Sequence, residues 1–505
     1  MTGLPQPNAA AGVGVLDAGD RPLSAAGALV VAAVAVGSFH AAFGLSGPWF
    51  SWLVMVYLGG LVVLRRVRSA RWAFYGGLGV GVGVFAPQLG FFWEIFGPAG
   101  AMLWLVLAFW HAVFLLILHE AQRHWGTRVA VMLAPVCWLG IEYFRSELYY
   151  LRFSWLTAGY VMPPEVARPL WWAVGVYGTG AVLMALSAVV VGWLEAPRWI
   201  PGAVAAGIGV LVLAGYGGAR VLWKANCRPD GTMARVGAAG VQMEFPSTGE
   251  VLEALDGLAA AYPGAEVLLL SEYTFDGPVP EEAKDWCRRR GRHLVAGGKE
   301  PVPGPHGFEN TAYVIDREGR VVFKQVKAVP IQFFRDGRAA SEQRLWDSPW
   351  GRAGVLVCYD LSYTRVVDRL VTLGAQVLIA PSMDAVHWGR RQHELNARNT
   401  IIRASEYGIP VLRVASSGYS QFVERDGGVV VAAGFPGAGE RLGASLCWNG
   451  RADRHKPLDR WAAWGGVMGT AGVGVMLVGI SWREGRRRSR PRVEIPEASA
   501  DRADE

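Results

Sequence analysis

The sequence predicts two kinds of structure in one chain: a multi-pass α-helical membrane domain of about eight transmembrane helices, and a water-facing layered α/β domain set between its last two spans. Three observations carry this reading. Long apolar runs follow one another through the first 220 residues. From about residue 234 to residue 448 the pattern changes to short strands alternating with helices. One more apolar run then leads into an arginine-rich tail. Composition agrees: mean hydropathy is +0.24, and charged residues make up 18% of the chain against about 25% in soluble proteins. The 22 Trp suit a chain that meets the headgroup boundary many times.

The first seven runs cover residues 25–42, 48–64, 72–92, 99–118, 129–144, 170–194 and 200–219. A bilayer core needs about 17–25 apolar residues per helix, and most of these runs reach that length. Gly and Ala are frequent inside them, as close helix packing in lipid allows. The eighth run is 461–482. The expected organisation is therefore a membrane domain over 1–220, a globular domain over 234–448, a final span over 461–482 and a tail over 483–505. The first twenty residues hold no Lys or Arg, so no cleaved leader is expected there. The acidic, Ala-rich stretch 494–505 reads as disordered.

Positive charge orients the spans. Arg65, Arg66, Arg68 and Arg71 follow the second run, Arg123, His124 and Arg128 the fourth, and Arg198 the sixth. Alternate linkers are nearly neutral, apart from the mixed-charge segment 145–168. Basic linkers belong on the cytoplasmic side, so the N-terminus is inside and the globular domain is extracytoplasmic. Arg483, Arg486, Arg487, Arg488, Arg490 and Arg492 place the tail inside independently. Trp93 and Glu94 fall at an outer boundary and read as an anchor. The net charge of +7 is modest, and no basic, aromatic-interleaved surface segment points to nucleic acid.

In the globular domain, strands are expected at 236–242, 266–270, 293–296, 311–315, 321–326, 354–357, 377–380 and 411–414, with helices at 251–261, 281–290 and 364–372. Alternating strands and helices make a layered α/β domain. Its strand ends carry reactive groups. The strand ending at Leu270-Ser271 runs into Glu272, the strand 321–326 into Lys327, and the strand 354–357 into Cys358. Sites in α/β sheets form outside the carboxyl ends of strands. A Cys at a strand-to-helix turn is expected to have its thiol pKa lowered by the helix N-terminus. Lys324 and Lys327 lie on opposite faces of their strand, because side chains alternate. The five Cys show no CxxC or metal-ligand spacing, so neither zinc nor a disulfide framework is expected.

These segments resemble the nitrilase, or carbon–nitrogen hydrolase, superfamily. The matching stretches are Leu270-Ser271-Glu272, Lys327-Ala328-Val329-Pro330-Ile331-Gln332-Phe333 and Val357-Cys358-Tyr359-Asp360, supported by Ala296-Gly297-Gly298, Asn310-Thr311-Ala312, Ile402-Arg403-Ala404-Ser405-Glu406-Tyr407-Gly408 and Ser416-Ser417-Gly418-Tyr419-Ser420. Such a domain between seven helices and one is similar in layout to the apolipoprotein N-acyltransferase family. Glu142-Tyr143-Phe144-Arg145, with Phe153-Ser154-Trp155-Leu156-Thr157-Ala158-Gly159-Tyr160, resembles a further segment of that family.

The resemblance implies an α-β-β-α sandwich with a Glu272, Lys327 and Cys358 triad, Lys327 rather than Lys324 being the lysine in register. It puts Tyr359, Asp360 and Asn310 at the oxyanion or the substrate. It implies a thioester mechanism without metal or cofactor, a phospholipid acyl donor, a diacylglyceryl apolipoprotein acceptor, and a monomer in the bacterial cytoplasmic membrane. The alternative is a membrane-tethered amide hydrolase. The chain departs from the family in several places. Asp360 stands where Glu is usual, and Phe334-Arg335-Asp336-Gly337 replaces Phe-Gly-Glu, so that the loop carboxylate is Asp336, Glu342 or absent. Ser382-Met383-Asp384-Ala385 replaces Asn-Asp-Ala, and the Lys-to-Cys interval is shorter.

Overall fold

The computed structural model describes residues 21–196, 202–228, 235–305, 307–437, 439–448 and 454–488. The chain opens with α1 (Ala25–Gly44), whose N-cap Ser24 accepts a hydrogen bond from Gly27 N at 3.0 Å. A short 3₁₀ turn then leads into α2 (Leu53–Leu64), followed by α3 (Ala70–Gln88), α4 (Phe91–Phe96), α5 (Pro98–Tyr143), α6 (Pro164–Glu195) and α7 (Gly202–Cys227).

Four helices among the described residues are long and apolar enough to cross a membrane: Ala25–Gly44, Pro98–Leu148, Pro164–Glu195 and Asp459–Glu484. About eight spans are expected from sequence. The run 200–219 begins at residues 200–201, outside the described residues, and its helix α7 is not among these four; the rest of the difference has three sources. The run 48–64 forms the 12-residue α2, too short for a full crossing. The run 72–92 is divided between α3 and α4. The runs 99–118 and 129–144 are the two helical stretches of the 46-residue α5, joined at a break. Gly126 breaks α5 at φ 83°, ψ 167°, a conformation open to glycine and costly for other residues.

The α/β domain follows as β1 (Arg235–Val241), α8 (Thr248–Ala261), β2 (Val267–Leu269), α9 (Glu281–Arg290), β3 (His293–Pro301), β4 (Phe308–Ile315), β5 (Val321–Val326), β6 (Leu345–Ser348), β7 (Gly351–Val355), α10 (Thr364–Leu373), β8 (Val377–Ser382), α11 (Arg390–Tyr407), β9 (Val411–Ala415), β10 (Ser420–Val423), β11 (Val429–Ala433) and β12 (Arg441–Cys447). The strands make two six-stranded sheets, in the orders β12-β1-β2-β3-β4-β5 and β11-β10-β9-β8-β7-β6. Side-chain alternation builds the layers. Val267, Leu269 and Val295 face Val355, Val377 and Ile379 of the other sheet. Leu268, Leu270 and Leu294 point outward against Leu255 of α8 and Trp286 of α9. Leu356, Leu378 and Val411 do the same against Leu370 of α10 and Ala404 of α11. The result is an α-β-β-α sandwich. After β12 the chain continues into α12 (Asp459–Arg488), which packs against α5 and α6.

A buried ionic network joins the two parts. Gly175, at φ 75°, breaks α6 and frees the amides of Val176, Tyr177 and Gly178, which act as a helix N-terminus that favours anions. Glu406 of α11 accepts from Val176 N at 2.9 Å, and Asp459 of α12 accepts from Tyr177 N at 3.1 Å and Gly178 N at 3.4 Å. Arg460 donates to Glu406 at 3.0 Å and to Asp368 at 3.1 Å, and Arg403 pairs with Glu406.

Candidate active site

Three strand ends deliver side chains to one buried cluster. Glu272 stands beyond β2, Lys327 directly after β5, and Cys358 beyond β7. The Lys327 ammonium lies 2.9 Å from Glu272 Oε1 and 2.8 Å from Asp336 Oδ2, with both sides of each pair shielded from solvent. Asn310, in β4, donates its amide to Glu272 Oε1 at 2.6 Å and to Asp336 Oδ1 at 2.8 Å. Tyr273 donates its hydroxyl to Asp336 Oδ1 at 2.5 Å. The amide of Met383, just after β8, donates to Glu272 Oε2 at 2.8 Å, while its carbonyl accepts from Cys358 Sγ at 3.5 Å. One backbone residue therefore links the base candidate to the nucleophile candidate.

Cys358 is 4% exposed and has φ 49°. A left-handed backbone at a non-glycine residue costs about 1–3 kcal/mol and is characteristic of functional turns. Asp360 holds this turn. Its carboxylate accepts from Val357 N at 3.1 Å, Ala328 N at 3.0 Å and Val329 N at 2.7 Å, tying the cysteine turn to the lysine loop. Burial pushes the Asp360 carboxyl up to about 6, against the pull of those amides and of Lys327.

The electrostatics correct one expectation. The Cys358 thiol is not lowered: burial, and then the negative charge of Glu272, raise it well above its ordinary value, and Lys327 offsets this only in part. The resting residue is a neutral thiol that needs a base. Burial also raises the Glu272 carboxyl, with Lys327 opposing and Asp336 adding to the effect. A carboxylate raised in this way is a stronger base. Burial alone would lower Lys327, but the charges of Asp336 and Glu272 outweigh it and hold the ammonium well above its usual value.

Other candidates are sorted by their surroundings. Asp336 is the loop carboxylate of the cluster. Glu342 lies at the surface and pairs with Arg344 at 3.3 Å. Asn310 and Asp360 are fully buried, and their contacts run to Glu272, Asp336 and backbone amides. Lys324 points outward to Glu300 at 2.6 Å.

Cys358 and Tyr359 form one wall of a cavity whose opposite wall is membrane helix: Phe91, Phe92, Ile95 and Phe96 of α4, with Leu103 and Leu107 of α5. Phe333 and Phe334, 66% and 42% exposed, lie at its edge, Phe334 with its ring centroid 5.5 Å from that of Phe96. Sequence reasoning passed over this face. The signal was present in the i, i+1, i+4, i+5 spacing of Phe91, Phe92, Ile95 and Phe96, which share one side of a helix. Trp93 and Glu94 beside them are exposed.

The segment 142–160 is fastened beneath the cysteine turn. Ala158 N donates to Glu142 at 2.7 Å, Arg145 donates to Phe153 O at 3.1 Å, and Trp155 Nε1 donates to Ser362 Oγ at 2.8 Å. Comparison with known proteins bears on both parts of the chain. The family described as Apolipoprotein N-acyltransferase N-terminal domain matches residues 26–189, and the Carbon-nitrogen hydrolase family matches residues 254–449. An apolipoprotein N-acyltransferase from Nostoc sp. is 30% identical over 95 residues, 19% of each chain.

The chain belongs to the apolipoprotein N-acyltransferase family, within the nitrilase superfamily.

Two amidases are also similar to part of this chain. A 2-oxoglutaramate amidase from Bacillus subtilis is 28% identical over 114 residues, 21% of this chain and 43% of the amidase. A deaminated glutathione amidase from Dictyostelium discoideum is 23% identical over 175 residues, 30% of this chain and 60% of the relative. The matched stretches thus span less than two thirds of each of these curated relatives. Among solved structures, an amidase from Nesterenkonia sp. AN1 superposes with a TM-score of 0.36 at 21% identity, covering 43% of this chain and 94% of that one.

Proposed function

We propose that this chain transfers an acyl group from a phospholipid to the N-terminal amine of a diacylglyceryl-cysteine apolipoprotein, through a thioester on Cys358, without metal or cofactor. It works as a single chain in the bacterial cytoplasmic membrane, crossing it about eight times. The observation that carries this reading is the apolar cavity, which gives Cys358 a wall of membrane helix. Acyl chains in the bilayer would reach the thiol without leaving an apolar environment.

In the proposed first step Glu272 takes the thiol proton and Sγ attacks the ester carbonyl. Lys327 and the N–H of Tyr359 hold the oxyanion, one such donor being worth ~2.7–4 kcal/mol. The lysophospholipid leaves with the proton from Glu272. In the second step the acceptor amine attacks the thioester, its proton passes to Glu272, and the Cys358 sulfur departs and is reprotonated. The related amidases favour a second reading, in which water discharges the enzyme. Exclusion of water from an apolar site argues for transfer.

Ping-pong kinetics separate the two. Acyl-enzyme should accumulate with phospholipid alone and discharge into N-acyl product when a diacylglyceryl peptide is added. Rapid release of free fatty acid, with no N-acyl product, would establish the hydrolase.

The two independent charge signals support an extracytoplasmic α/β domain. All five native cysteines are buried, so a reporter is needed. Glu281→Cys, at a side chain 76% exposed on α9, should react with a membrane-impermeant maleimide in intact cells. Labelling only after lysis would reverse the topology.

A further inference from the structure

We infer that Arg152 and Arg365 form a site for the phosphodiester of the acyl donor at the rim of the Cys358 cavity. This rests on the phospholipid reading above and goes beyond it by naming the headgroup contact. Arg152 lines the cavity together with Leu151, Cys358 and Tyr359. Its guanidinium carbon lies 5.3 Å from the centre of the Tyr363 ring, and that of Arg365 lies 5.5 Å from the same ring. Two guanidiniums therefore share one aromatic platform, and the Tyr363 ring packs 5.0 Å from that of Tyr359, next to the nucleophile.

Neither arginine forms an ion pair with a carboxylate among the described residues, and Arg152 Nε is buried without a hydrogen-bond partner. Glu147, whose charge acts on Arg365, is paired with neither arginine: its Oε1 accepts from Tyr177 OH at 2.8 Å and Thr364 N at 3.0 Å. Burial and the adjacent Arg152 charge hold Arg365 below its ordinary value, with Glu147 acting the other way. Two neighbouring like charges without an ion-pair partner are stabilised by an anion beside them. Guanidinium is the side chain best shaped for phosphate oxygens. In a glycerophospholipid the phosphodiester lies a few bonds from the reacting ester. A lipid whose ester carbonyl meets Cys358, with its chain against α4 and α5, would place its phosphate at this rim.

The test measures thioester formation on Cys358 in the full chain, with a diacyl phospholipid and with diacylglycerol, which has the same esters and no phosphate. Loss of a charge-assisted contact should reduce the kcat/KM preference for phospholipid over diacylglycerol about tenfold in Arg152→Gln and in Arg365→Gln. Arg152→Lys should recover part of it. Arg365 is exposed, so that variant reports even if Arg152→Gln folds poorly. Inorganic phosphate at millimolar concentration should compete weakly with phospholipid, and less so in the variants. Saturation by micromolar phosphate without competition would assign the site to a soluble anion and overturn the lipid source. An unchanged preference in both glutamine variants would overturn the inference alone. A wild-type chain that forms no thioester with phospholipid would instead overturn the acyl-transfer reading.

Discussion

Glu272→Gln should slow acylation of Cys358 by ~10²–10⁴-fold, the usual contribution of a positioned general base. The argument rests on the resting state of the cluster. Cys358 is held as a neutral thiol by burial and by the Glu272 charge, so little thiolate exists until a base removes the proton. Glu272 shares the Met383 backbone with Cys358, and burial raises its carboxyl above the ordinary value. Glutamine keeps the shape and the Met383 contact but cannot take a proton. The base must be ionised to work, so the wild-type rate should fall on acidification, with a midpoint above the usual carboxylate range. That acid limb should vanish in the variant. Mass spectrometry of the acyl adduct across pH reads both effects. A variant within threefold of wild type, or one that keeps the acid limb, would remove Glu272 from the base role.

How far such a site can be read from sequence depends on how the residues are buried. Strands β5 and β8 and helix α9 announce themselves, since apolar runs or amphipathic spacing bounded by Gly, Pro or charge carry the signal. The strand ends then place Glu272, Lys327 and Cys358 on the page. Helix α11 gives no such signal. It buries Gln392, His393, Asn396, Asn399, Arg403 and Glu406, so its inward face is polar and the usual periodicity is absent. What satisfies those groups is tertiary: Asp384 for Gln392 and Asn396, Ser362 for Asn399, and the membrane part for Glu406. The choice between Asp336 and Glu342 was equally closed to sequence, because both follow the lysine loop and only the fold turns one of them inward. The cavity wall from α4 and α5 depends on the packing of segments more than 200 residues from Cys358, which no local pattern reports.

The cross-domain network yields the second large effect, and it acts through an element the sequence did not announce. Glu406→Gln should lower the stability of the assembled chain by about 3–5 kcal/mol, the range for removing one partner of a buried ion pair. Glu406 is fully buried and receives Arg403, Arg460 and the free amide of Val176 at the α6 break. Glutamine removes the charge that compensates two buried guanidiniums and weakens the capping of that helix end. Burial alone would raise the Glu406 carboxyl, but Arg460 and Arg403 outweigh it and hold it below its ordinary value. Its contribution is therefore complete above the normal carboxylate range and is lost only as pH falls through the lowered value. At neutral pH the thermal midpoint should drop by about 3–5 °C, with the gap between wild type and variant closing in acid. The loss should reach catalysis too. Arg403 also donates to Leu361 O at 3.0 Å and Ser362 O at 2.7 Å, within the turn that begins at Cys358, so a displaced Arg403 loosens the nucleophile. Glu253→Gln, on the exposed side of α8, serves as the control. Equal midpoints and equal acylation rates for the two variants would show that the membrane and α/β parts are held together by packing alone.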